Sequence, residues 1–216
     1  MSTIERTYIM ADRGPRPATR GWAHLVSAFA AAIASAVLIT YAAMTLRPVE
    51  VLSVSIYCAG LILLFAVSGL YHRWPWRSAE TVRWWRRADH ATIAVFIAAT
   101  YTPMCVILFE PPHSNWMLSI AWTGAIAGVI LNMVWINHPR WLDVVVYLAL
   151  GWFVIPLIPA LRDQTGPAVV WLLFLGGVAY TVGAVVYGLP WARSSTASNG
   201  RAATLAFTAT TSTSIR

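Results

Sequence analysis

Lysine is absent from this chain of 216 residues, and all 15 basic residues are arginine. Charge of either sign is scarce: 11% of residues are charged while 58% are hydrophobic. A soluble domain carries charge on about a quarter of its residues, so a water-exposed surface around a single core is excluded as the organising plan. Cysteine is limited to Cys58 and Cys105, both inside apolar runs. They imply no disulfide framework and read as small buried apolar side chains. Histidine is missing beyond His138, an absence that bears on the chemistry discussed below.

The formal charge of +7 raises a nucleic-acid partner as an option. The placement of the arginines rejects it, because they sit in short loops and tails between apolar segments. That is how topology determinants of a membrane protein are distributed. A spanning helix needs about 20 mostly apolar residues, and six such stretches follow one another at about residues 22–44, 51–71, 88–109, 116–136, 142–161 and 168–189. The first is too long for a signal-peptide core and reads as an uncleaved span. The fold expected is all-α, a polytopic helical bundle over 21–189. A polar tail precedes it at 1–20, and a Ser-, Thr-, Ala- and Arg-rich segment at 190–216 reads as disordered. Pro103 is expected to kink the third span, and Pro156 with Pro159 to bend the fifth.

Arginine counts set the orientation. With the N-terminus in the cytoplasm, Arg6, Arg13, Arg16, Arg20, Arg73, Arg77, Arg83, Arg86, Arg87, Arg140, Arg193, Arg201 and Arg216 lie inside, and Arg47 and Arg162 lie outside. That bias puts both termini in the cytoplasm. Trp74, Trp76, Trp84 and Trp85 flank the basic loop as an interfacial belt.

Polar and ionisable groups at membrane depth cost roughly 2.5–3.5 kcal/mol on insertion scales and usually mark a site. Here they arrive as Ser68-x-x-x-His72 at the end of the second span and Asp89-His90 at the start of the third. Ser68 and His72, four residues apart, share a helical face. Asp89 is expected at the same depth on a sequential and therefore neighbouring helix. Each has an ordinary reading. His72 could be an interfacial histidine, Asp89 could complement a helix dipole or pair with Arg86 or Arg87, and Ser68 could bond back to the Leu64 carbonyl. His90 reads as packing or a supporting donor; His24, His113 and His138 receive no role. Gly124-x-x-x-Gly128 reads as close packing inside the bundle. Imidazole is a zinc ligand, but a catalytic zinc takes about three protein ligands, and one His with one Asp leaves such a site incomplete.

Ser68-Gly69-Leu70-Tyr71-His72, Asp89-His90 and Ala99-Thr100-Tyr101-Thr102-Pro103 resemble, in order and spacing, the signature of bacterial hemolysin III proteins. Those are relatives of the adiponectin and progestin receptors and, more distantly, of alkaline ceramidases. Arg20-Gly21-Trp22-Ala23-His24 and the stretch from Gly151 to Pro156 look similar too, and the likeness covers about residues 18–188. It implies seven membrane helices around a zinc site near the cytoplasmic face. The ligands would be a histidine ending the second helix and two from an His-x-x-x-His in the seventh. Carried over, His72 is the metal ligand, and Ser68 and Asp89 stand beside the metal as catalytic groups. The superfamily implies a zinc-dependent hydrolase acting on lipid amides, with membrane lipids as partners. The sequence departs where the seventh helix belongs: no His-x-x-x-His follows Tyr187, and a shifted reading frame after about that residue would account for the polar tail. Loss of two zinc ligands implies impaired metal binding and catalysis. Two other classes stay open: a cytolytic pore, and a lipid-sensing, receptor-like protein without chemistry. A pore needs a continuous polar path, and Thr123 and Asn132 are among the few polar groups deep in the remaining spans.

Overall fold

The computed structural model describes residues 21–74, 76, 78–135 and 139–188. Both tails, His138, Arg77 and the segment in which the His-x-x-x-His is lacking lie outside the described residues. Among those described, the chain forms α1 (Trp22–Thr45), α2 (Pro48–Arg73), α3 (Ala79–Leu108), α4 (His113–Val134), α5 (Arg140–Trp152), a 3-10 turn (Ile155–Leu157), α6 (Ile158–Thr165) and α7 (Pro167–Gly188), with no strand. Four of these helices and the stretch 144–165 are long and apolar enough to cross a membrane, and α7 adds an apolar run over 167–183. The protein is an all-α, multi-pass membrane bundle.

The outward stripe of α1 shows why these helices need lipid. Val26, Phe29, Ile33, Val37, Tyr41 and Met44 follow helical spacing and are all exposed. In water that stripe would be an association patch, whereas hydrocarbon accepts it without penalty. The inward face carries small residues, Ala31, Ser35 and Ala42, because helices in lipid gain by close backbone approach. Glycine does the same further along. A Cβ on Gly60 would stand 2.7 Å from Ala99 Cβ, and one on Gly128 would stand 2.9 Å from Ala94 Cβ. The Gly124-x-x-x-Gly128 motif is therefore spent within the chain, Gly128 on α3 and Gly124 on Leu150 of α5.

One element differs from the sequence expectation, and another follows it. The third helix starts at Ala79, nine residues before the apolar run begins, capped by the Ser78 hydroxyl, which accepts from the Thr81 amide at 3.1 Å. Its first turns, with Arg83, Trp84, Trp85, Arg86 and Arg87, are too polar to read as a span yet are helical. Helix α3 runs on unbroken through Pro103 to Leu108. The fifth span breaks into α5, the 3-10 turn and α6 where Pro156 and Pro159 stand.

The Thr100–Pro103 motif repairs that break. The last carbonyls of a helix lack intrahelical partners, and α5 ends at Trp152. The buried Tyr101 hydroxyl donates to the Leu150 carbonyl at 2.9 Å and lies 3.2 Å from that of Gly151. Thr102 donates to the Ala98 carbonyl and accepts from the Trp122 indole, tying α3 to α4. At the other end of the same helices, Asn132 Nδ2 reaches the Tyr147 hydroxyl at 3.2 Å, and that hydroxyl donates to the His90 carbonyl at 3.0 Å. Here α3, α4 and α5 are locked together.

Candidate functional site

The short Leu46–Arg47 connection makes α1 and α2 an antiparallel hairpin. Its tip is fixed by Glu50, whose carboxylate accepts from the Arg47 amide at 2.9 Å and from its guanidinium at 2.6 Å. The start of α1 therefore returns to the end of α2. Gly69 lies against Leu25, and a Cβ there would stand 2.8 Å from Leu25 Cδ2. Gly21 caps α1 with φ +86° and presses on His72: a Cβ at position 21 would stand 2.8 Å from His72 Cβ. Only glycine combines that backbone with that approach at no steric cost.

This packing brings His24, for which no role was expected, beside the expected ligand. The ring centroids of His24 and His72 are 6.1 Å apart, those of Tyr71 and His72 4.7 Å, and those of His24 and Phe65 6.2 Å. The signal was in the Arg20–His24 motif, but its meaning depends on the α1–α2 register, which no local pattern reveals.

Ser68 lies one turn before His72 on α2 and is half-buried. Many hydroxyls of this chain bond back to the carbonyl four residues earlier, among them Thr40, Ser55, Ser119 and Thr181. Ser68 does not, so among the described residues its Oγ is left for another partner. Asp89 is half-buried in the third turn of α3 rather than at its start. It is too far along to complement the dipole of the first turn, and among the described residues no ion pair joins it to Arg86 or Arg87. Its backbone carbonyl accepts from Thr92 at 2.8 Å. His90 meets Tyr147 through its backbone carbonyl.

Helices α2 and α3 pack together, so Ser68, His72 and Asp89 occupy adjoining helices at the arginine-rich end. They do not form a ligand set: among the described residues no three His, Cys, Asp or Glu side chains are grouped to hold a metal ion. A zinc site with three protein ligands does not fit these residues. What the fold assembles is a histidine pair, a serine one turn away and a carboxylate on the neighbouring helix. Cys58 and Cys105 are buried free thiols away from this end.

Residues 14–201 match the family model described as haemolysin-III related. The chain is 30% identical over 138 residues to the hemolysin-3 homolog of Bacillus subtilis, covering 64% of each chain. It is 29% identical over 164 residues to hemolysin-3 of Bacillus cereus, covering 76% of this chain and 74% of that one. It is also 26% identical over 141 residues to the human monocyte to macrophage differentiation factor, covering 64% of this chain and 58% of that one.

Proposed function

The chain belongs to the haemolysin-III related family, and on that premise we propose that it is an inner-membrane protein of bacteria carrying a reduced form of a zinc-dependent lipid amide hydrolase site. Its N-terminus and the site face the cytoplasm, following the arginine bias. His72 is the metal ligand that remains. His24 stands where it can serve as a second, and Ser68 and Asp89 are the groups that would meet a lipid carbonyl. Zinc, when bound at such a site, supplies Lewis acidity and an activated water. Ser68 could donate a hydrogen bond to a developing oxyanion, and Asp89 could take up a proton.

The observation that carries this reading is the convergence of His24, His72 and Ser68 at one end of the α1–α2 hairpin. Two imidazoles give a weak metal site, so the chain as it stands binds lipid amides without turning them over appreciably. Release of fatty acid from a long-chain N-acyl lipid, measured in proteoliposomes with added zinc, is expected to match that of Asp89→Asn. Turnover well above that variant would overturn the impaired reading and leave a competent hydrolase.

A pore is less well supported. Three buried polar side chains deep in the helices bond to their own helix: Ser53 to the Glu50 carbonyl, Thr102 to Ala98 and Asn132, through Nδ2, to Gly128. Side chains turned onto the backbone in this way line no water path.

A further inference from the structure

The α1–α2 hairpin sets His24 against two rings of α2. Among the described residues its imidazole meets Phe65 at 6.2 Å between centroids and His72 at 6.1 Å, with planes at 36° and 38°. Phe65 and His72 are seven residues apart, so they share one face of α2, two turns and about 10.5 Å of rise from each other. An imidazole at a similar distance from both lies between them. His72 stands on its arginine-rich side and Phe65 on the side of the bundle interior. All three side chains are half-buried.

The backbone at this end is held without Phe65. A Cβ on Gly69 would stand 3.3 Å from the Leu25 amide nitrogen, and one on Gly21 would stand 2.8 Å from His72 Cβ and 2.9 Å from Arg73 Cγ. The Arg73 guanidinium lies 4.7 Å from the centre of the Trp22 ring. These contacts fix α1 against α2, yet they leave the His24 ring its own torsions. What blocks that ring from swinging away from His72 towards the interior is Phe65. A helical histidine has two common χ1 wells and about two ring orientations at χ2, so a wall on one side removes up to about fourfold of conformational choice. A ligand oriented before the metal arrives binds it more tightly.

We propose that Phe65 is a positioning residue of the histidine pair: its ring holds the His24 imidazole turned to His72. Phe65 carries no donor or acceptor and touches the metal through His24 alone. The proposal rests on the reading of His24 and His72 as zinc ligands and adds the residue that sets their mutual orientation.

The test is a double-mutant cycle of zinc affinity, measured on the full chain in detergent by competition with a chromophoric chelator. It compares wild type, Phe65→Ala, His24→Ala and the double variant. Phe65→Ala is expected to weaken zinc about fourfold, and Phe65→Tyr, which keeps the ring, to match wild type. In the His24→Ala background the loss of Phe65 should cost nothing further. Phe65→Leu, which fills most of the space without the ring, takes the place of Phe65→Ala in the cycle if that variant fails to fold. Equal losses in both backgrounds would show that Phe65 supports the hairpin in general and would overturn the proposal. Zinc binding in wild type that is unchanged in the Phe65 variants would overturn the proposal alone. No saturable zinc in wild type would overturn the zinc reading, and the proposal with it.

Discussion

His24 and His72 face each other across the α1–α2 hairpin with ring centroids 6.1 Å apart and planes at 38°. They are the two residues that would hold a zinc ion at this end of the bundle. His24→Ala is therefore expected to weaken zinc affinity at least about tenfold, measured by competition with a chromophoric chelator in detergent. An affinity equal to wild type would remove His24 from the site.

Gly21 sets that pair. With φ +86° and His72 Cβ in the way of any side chain, Gly21→Ala must either shift α1 or distort its cap. A non-glycine residue held at such a φ costs of order 1–3 kcal/mol. The expected outcome is a lower thermal midpoint together with weakened zinc binding. A stable variant with unchanged zinc binding would show that the close approach does not position His72.

Tyr101 serves structure rather than chemistry. Its hydroxyl caps the carbonyls left at the end of α5, and Tyr101→Phe leaves them without it. Hydrogen bonds inside membrane bundles average about 0.6 kcal/mol by double-mutant cycles. A small loss of thermal stability is expected, with zinc affinity unchanged. A loss of zinc binding as large as that of His72→Ala would place Tyr101 in the site instead.

What could be read from residues alone follows from the range over which each signal acts. The spans were legible because long apolar runs act locally, and the interruption of the fifth was legible from Pro156 and Pro159. The start of α3 was not, since Arg83, Arg86 and Arg87 depress hydropathy even though the Ser78 cap and the arginines themselves favour helix. Ser68 and His72 were legible as one face because four residues make about one turn. The relation of His72 to His24, and the failure of Asp89 to join a three-donor group, depend on helix register across the bundle. No spacing within a single helix reports that register.

The most direct measurement is a zinc titration of the purified full chain beside His72→Ala, with bound metal determined by elemental analysis after equilibrium dialysis. A saturable site of one zinc per chain, weak enough to be emptied by a mild chelator and absent from His72→Ala, is the predicted result. Zinc binding that His72→Ala leaves intact, or no saturable binding in the wild-type chain, would contradict the assignment of His72 as the remaining ligand of a reduced metal site.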